Sequence, residues 1–266
     1  MGDVRTILDR DDLGPLGRLA VEHPEGTFAA TPASMVGVRA IVDHRAQLGG
    51  TGLDWGCGSG ILALVAARIP GVDRVIGLDI NPSNVAIART NARANELDDV
   101  AEFHESDSYD ARESAGREAL ASCRGSVDFI IANPPSSDRD DGFGFRRAVV
   151  LGAAPFLKPG GLILLSVSAQ YGEGRVRELL DLGLPMELEG VAATTPFVPF
   201  DCERPELREC LISYAAEEAR GGADYHFRHP DDPGAVLTAQ TALDHFLATD
   251  ESPLSRWQTL LLRRSR

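Results

Sequence analysis

The stretch LDWGCGSGIL, residues Leu53 to Leu62, joins two apolar runs through Gly56, Gly58 and Gly60. Glycines placed at the end of a strand and just before a helix let the backbone turn sharply, and let a ligand approach where a Cβ would collide. The spacing is G-x-G-x-G, and position 61 is Ile61. The third glycine of a dinucleotide fingerprint is therefore missing, which disfavours a pyrophosphate. Asp79 closes the next apolar run, VIGLDI, 21 residues beyond Gly58. A carboxylate there can accept both hydroxyl protons of a ribose more strongly than a neutral acceptor would. Loop and acid together indicate an adenosine-type ligand without phosphates.

Working outward, TGLDWG leads into ILALVAARIP, RVIGLDI into NPSNVAIARTNARANE, and VAEFHES, VDFIIAN and GGLILLSVS follow. Short apolar runs separated by helical stretches predict a parallel sheet covered on both faces, an α/β architecture. Thr31 before Pro32 and Asn81 before Pro82 each set a side-chain acceptor at a helix N-cap and a proline at the first helical position. LKPGG, residues 157–161, reads as the end of a helix turning into a strand. The N-terminus, MGDVRTILDRDD, is patterned like a helix. After Pro185 the alternation loosens: MELEGVAATTPFVPF and RWQTLLLRR read as strands. Between them lies a charge-rich insertion with a helix carrying Leu207, Cys210, Leu211 and Tyr214 on one face. The expected organisation is a helical segment over 1–30, a core over 31–200, an insertion over 201–250 beside the sheet's carboxyl edge, and a final core strand in 251–266.

At 266 residues and 43% hydrophobic, the chain is long enough for one large domain with an attached lobe. No apolar run approaches the roughly 20 residues of a membrane span, and no signal-peptide pattern opens the chain, so no membrane partner and a cytoplasmic location are expected. Lys+Arg of 26 against Asp+Glu of 40 gives a net charge of −14, without a basic stripe that would displace counterions from phosphates. A nucleic-acid partner is less expected than a protein or small molecule. Cys57, Cys123, Cys202 and Cys210 lack C-x-x-C spacing and read as buried thiols, with Cys57 a packing residue and no metal expected. Oligomeric state is not legible.

The run DFIIANPPSSD, Asp128 to Asp138, carries a second signal. A buried strand ends at Asn133 and meets Pro134 and Pro135. Pro134 pushes Asn133 away from helical backbone, and neither proline has an N–H to make a local turn bond. The Asn133 side-chain oxygen and the Pro134 carbonyl therefore read as an acceptor pair that grips an NH2 or NH group. The bland alternative is a strand-terminating loop.

With these residues in view, the chain resembles the class I S-adenosylmethionine-dependent methyltransferases over roughly residues 25–185 plus the strand Trp257 to Arg263. Asp54, Gly56, Gly58 and Gly60 match their D/E-x-G-x-G-x-G motif, and Asp79 matches their ribose-binding acid. The resemblance implies a seven-stranded Rossmann-like sheet and S-adenosylmethionine as cofactor. It places Asp54 at the methionine amino group, Ile80 against the adenine, and Asp107 at the adenine amino group. Asn133 to Ser136 is similar to the D/N/S-P-P-Y/F/W motif of amino-methyltransferases acting on nucleobase amines and glutamine side-chain amides, which implies that Asn133 and Pro134 orient the acceptor nitrogen. The stretch DGFGFRRAVVLGAAPFLKPGG looks like the segment after that motif in the protein-glutamine and ribosomal-RNA guanine enzymes. TFAATPASM, with Phe28 and Thr31, looks like their cofactor-covering segment.

One departure stands out: the stacking aromatic of that motif is Ser136 here, which removes a contact worth about 1–3 kcal/mol for a base. Either Phe143, Phe145 or Tyr171 takes over, or the acceptor is not a nucleobase, and the second reading is taken. Pro135, Ser136 and Phe145 are assigned to the acceptor side. No histidine is expected as catalyst. The resulting expectation is N-methylation of an amide or amine on a protein or small metabolite. Its rivals are a nucleobase N-methyltransferase, a non-catalytic cofactor-binding protein and a nicotinamide oxidoreductase.

Overall fold

The computed structural model describes residues 5–27, 30–137 and 140–266. At its centre an eight-stranded sheet runs in the order Asp110–Ala111, Ala101–Asp107, Val72–Asp79, Gly50–Trp55, Val127–Ala132, Leu157–Ser168, Trp257–Arg264, Met186–Thr194. The strands from Ala101–Asp107 to Leu157–Ser168 are parallel to one another. Trp257–Arg264 lies antiparallel between its two neighbours. The expected seven strands are present, and the eighth is a two-residue piece folded back on Ser106 and Asp107.

The near-continuous apolar runs follow from burial on both faces. Leu53, Ile76, Ile130 and Ile163 enter one apolar cluster, while Val75, Phe129, Ile131 and Leu164 enter the other. Each such side chain contributes roughly 1.5–3 kcal/mol on full burial. Helix Pro32–Asp43 starts on a reciprocal Thr31–Ser34 capping box, and helix Pro82–Ala94 on the Asn81 side chain, which accepts from Ser83 N–H. LKPGG differs from expectation. The helix Gly144–Ala153 has already ended, and Leu157 to Gly161 open the next strand, with a register shift that absorbs the extra residues.

The helical reading of the N-terminal segment is corrected over residues 5–22. Arg5–Leu8 and Leu19–Glu22 form an antiparallel pair, and between them Arg10–Leu13 makes one α-helical turn that runs into a 3-10 turn over Gly14–Leu16. Leu8, Leu19 and Val21 are buried. Two asparagines of helix Pro82–Ala94 and its cap complete the edge. Asn91 and Asn95 each accept from and donate to the backbone of the second strand, at Glu22 and Ala20 respectively. A primary amide presents the same donor–acceptor pair as a strand backbone, so the edge is satisfied without another strand.

Between Met186–Thr194 and Trp257–Arg264 stand helices Pro205–Ala219 and Ala239–Thr249 and a small sheet of two-residue strands, Val198–Pro199, Leu254–Ser255, Phe227–Arg228 and Val236–Leu237. Phe200, Leu211, Tyr214, Tyr225 and Phe227 belong to the same apolar cluster as Ile130 and Leu165 of the central sheet. Leu207 and Cys210 pack against it half-buried. Among the described residues no helix is long and apolar enough to cross a membrane.

Candidate active site

The chain crosses to the other side of the sheet between the neighbouring strands Gly50–Trp55 and Val127–Ala132, and ligands of open α/β sheets bind outside the carboxyl ends of such strands. Trp55 pairs in register with Ala132, so Gly56 and Asn133 leave adjacent strand ends. The structure thus brings the glycine loop and the proline corner together.

On the loop side, Gly56, Gly58 and Gly60 have φ of 69°, 54° and 88°, left-handed values that glycine adopts at no steric cost. Asp79 Oδ2 accepts from Gly58 N–H at 2.8 Å, and Oδ1 accepts from Asn81 N–H at 2.9 Å and Asn84 Nδ2 at 3.1 Å. Three of a carboxylate's roughly four lone-pair directions are therefore taken. The carboxylate expected to accept from two ribose hydroxyls also braces the loop, which leaves about one lone-pair direction open.

Asp54 is 1% exposed. Its Oδ2 accepts from Ala63 N–H at 2.9 Å, while its Oδ1 has no donor among the described residues. Burial pushes its pKa up to about 7; the Ala63 N–H opposes this and the Asp79 charge adds to it. A buried carboxylate oxygen without a donor costs about 1–3 kcal/mol, and a ligand ammonium would satisfy it. Cys57 is buried beside it, and burial drives its thiol pKa well up, as suits a packing residue. Ile80, next along from Asp79, is 54% exposed, an uncommon position for a large aliphatic side chain. Asp107 is exposed at its strand end. Thr31 serves as the helix cap, and Phe28 lies outside the described residues.

On the corner side, Asn133 is half-buried and its Nδ2 donates to Ser34 Oγ at 3.4 Å. Ser34 Oγ also accepts from Thr31 N–H and shares a hydrogen bond with Thr31 Oγ1. In this arrangement the Asn133 amide has its nitrogen toward the helix. Its Oδ1 has no donor among the described residues.

The Pro134 carbonyl, expected from the sequence as an open acceptor, has one of its two lone pairs engaged. Arg146 Nη2 donates to it at 3.0 Å, and Nη1 donates to Pro135 O at 3.1 Å and Gly142 O at 3.4 Å. Arg146 Nε donates to Ser166 O at 3.1 Å. Arg146 is 4% exposed, and its hydrogen-bond partners among the described residues are all carbonyls. The prolines have no N–H with which to close the turn, and a side chain twelve residues on supplies the donors instead. The signal was in the sequence: Phe143, Arg146, Val149, Val150 and Ala153 share the buried face of one helix, and a guanidinium on an apolar stripe needs buried acceptors.

Tyr214 OH donates to Ser136 Oγ at 3.0 Å and lies 2.7 Å from Tyr171 OH, which donates to Gly142 O at 3.0 Å. A Cβ on Gly142 would stand 2.6 Å from Ser136 Oγ and 2.7 Å from the Tyr214 ring, so this turn needs glycine. Pro135 is exposed. Of the three aromatics considered as substitutes for Ser136, Phe143 and Tyr171 are buried, and Phe145 alone is exposed, with its ring 6.0 Å from that of Trp55. Tyr225 OH donates to Asp141 O at 2.7 Å, and the Asp141 carboxylate pairs with Arg147 and Arg175. Burial would raise the Asp141 pKa, but the Arg147 guanidinium overrides it and holds the carboxyl below its ordinary value. Residues from the 201–250 segment thus reach the corner, which spacing alone did not reveal.

Residues 19–181 match the family profile described as methyltransferase small domain. Over 57 residues, 21% of this chain and 19% of the relative, the sequence is 51% identical to the ribosomal protein L11 methyltransferase of Thiobacillus denitrificans. Over 58 residues, 22% of this chain and 20% of the relative, it is 49% identical to the corresponding protein of Alteromonas mediterranea. The match spans about a fifth of the length of these curated relatives. Among solved structures, the Thermus thermophilus 16S rRNA N2 G1207 methyltransferase in complex with AdoMet and guanosine aligns with TM-score 0.50 and 20% identity, over 99% of this chain and 51% of that one. The [4+2]-cyclase SpnF aligns with TM-score 0.51 and 18% identity, over 91% of this chain and 84% of that one. At these identities the two establish likeness of fold.

Proposed function

From the premise that the chain belongs to the methyltransferase small domain family, we propose that it transfers a methyl group from S-adenosylmethionine to an amide or amine nitrogen of a protein or small metabolite. The observation that carries this reading is Asn133. Its amide is pinned through nitrogen to Ser34, and its oxygen stands at the end of the strand beside the glycine loop. The residues on the loop side fit the cofactor: Asp54 Oδ1 is a buried oxygen without a donor, and the loop glycines leave backbone open to close approach.

S-Adenosylmethionine supplies a methyl group already activated by the sulfonium charge. In this reading Asp54 binds the ammonium group, Asp79 takes one ribose hydroxyl, and Ile80 lies against the adenine. Asn133 Oδ1 accepts a hydrogen from the acceptor nitrogen and so aims that nitrogen's lone pair. Orientation of this kind can remove roughly 7–11 kcal/mol of barrier. The nitrogen becomes acidic on methylation and gives its proton to water, so no side chain has to act as base beforehand. Arg146 holds the corner that carries Asn133.

A nucleobase amine is the second reading, and exposed Phe145 favours it, because a half-open ring near the cleft can stack on a planar acceptor. Labelled methyl transfer into a cell extract, fractionated into protein, nucleic acid and small molecules, separates the two. Label in the protein or small-molecule fraction supports the first reading and label in nucleic acid the second; no label in any fraction overturns both.

A further inference from the structure

We infer that Trp55 is a positioning residue for the adenine end of the cofactor site. Its indole N–H fixes the turn that carries Asp107, and with it the preference for an adenine over an isosteric base. The inference rests on the cofactor reading above and goes beyond it, because Trp55 would act without touching the ligand.

Trp55 ends the strand Gly50–Trp55 and is 8% exposed. By alternation along the strand its side chain points to the face opposite Asp54. The strand Val72–Asp79 separates it from Ala101–Asp107, so the outer two are two strand spacings apart, about 10 Å. The indole nevertheless bridges them, because Trp55 Nε1 donates to Ser108 Oγ at 2.9 Å. This bond passes the end of the middle strand, where Asp79 and Ile80 stand.

Ser108 is held in an uncommon conformation. Its φ is 56°, in the left-handed region where a Cβ crowds the following carbonyl. Such a residue persists where its surroundings over-determine it, and such strain clusters at functional sites. Here the hydroxyl takes the Trp55 N–H, and the carbonyl accepts from Ser106 Oγ at 2.8 Å, with Ser106 1% exposed. On the far side of the turn Tyr109 OH donates to Val149 O at 3.0 Å, and its ring occupies the space where a Cβ on Gly152 would come within 2.3 Å. Asp110 pairs back with Asp107 and closes the hairpin. Both ends of the turn are therefore fixed to the core, while Asp107 at its base remains exposed. The Phe145 ring lies 6.0 Å from the same indole, which sets this exposed aromatic near the Trp55 end of the edge as well.

The test measures binding by calorimetry of S-adenosylhomocysteine and of S-inosylhomocysteine, which carries a carbonyl oxygen in place of the adenine amino group. The wild-type protein is expected to prefer the adenosyl ligand, and Asp107→Asn to lose much of that preference. Trp55→Phe keeps the ring and removes the donor. It is expected to weaken S-adenosylhomocysteine about tenfold, the scale of one hydrogen bond, while S-inosylhomocysteine changes little, so that the ratio collapses toward that of Asp107→Asn. Ser108→Gly and Ser108→Ala test the turn without touching the tryptophan. Glycine accepts the left-handed φ and alanine does not, so Ser108→Ala should lose more discrimination than Ser108→Gly.

An equal loss for both ligands in Trp55→Phe would make the residue a packing group only and overturn the inference. An unchanged ratio in both Ser108 variants would overturn it as well, even if Trp55→Phe does not fold. If the wild type binds neither ligand, the cofactor reading fails and this inference with it; if it binds both equally, the inference alone fails.

Discussion

On the glycine-loop half of the carboxyl edge, the bonds that shape the site join two carboxylates to backbone N–H groups: Asp79 to Asn81 and Gly58, 2 and 21 residues away, and Asp54 to Ala63, 9 residues away. On the Asn133 half, the corresponding bonds come from side chains 12, 78 and 99 residues away, at Arg146, Tyr214 and Ser34. The first half is assembled by acids bonding to backbone N–H groups and needs glycines and acids at set spacings. The second is assembled by packing, and each partner arrives on a different helix. The local half depends on a few residues of fixed spacing, while the packed half depends on three helices arriving together.

The largest expected effect breaks the loop half. Asp54 has a raised folded-state pKa of about 7 against 3.8 when exposed. Unfolding between those values releases a proton, so stability without ligand falls as pH rises through the window and is constant again above it. Asp54→Asn mimics the protonated form. In denaturant melts its advantage over the wild type should be absent near pH 4 and grow to about 4 kcal/mol at pH 7. S-Adenosylhomocysteine affinity should behave oppositely, rising with pH in the wild type and staying flat in the variant, because the ligand's ammonium prefers the ionised carboxylate.

Next comes the packed half. Arg146→Met leaves the carbonyls of Pro134 and Pro135 without their guanidinium donor and should cost about 3 kcal/mol or more in thermal unfolding. Ligand affinity at the loop should survive in whatever fraction folds. If affinity and stability fall together, the two halves are coupled and the contrast between them fails.

Asn133→Ala sharpens it further. Turnover on the fraction that the wild type labels should drop about 100-fold, equivalent to about 2.7 kcal/mol, while S-adenosylhomocysteine binds as before. Tyr214→Phe removes one hydroxyl from the Ser136 network and should cost about 1 kcal/mol of stability, measured by chemical denaturation. Arg177→Ala serves as the control outside both halves. Its i,i+4 pair with Glu173 is exposed on both sides, and its loss should move stability by less than about 0.5 kcal/mol.

The order of residues by itself determined the parallel sheet, the helix caps at Thr31 and Asn81, the glycine turn and the acid that follows it. Each depends on a few consecutive residues: apolar periodicity sets which faces are buried, and only glycine takes a left-handed turn without strain. Tertiary structure alone decided that residues 5–22 pair as strands against Asn91 and Asn95, that Arg146 claims the Pro134 carbonyl, and that Tyr214 reaches Ser136. Those outcomes depend on which distant side chains the packed helices bring within reach of a buried polar group, and chain spacing carries no record of that. Thr31 shows both at once: its cap is a local rule, but the Ser34 hydroxyl it orients turns the Asn133 amide from the far side of the sequence.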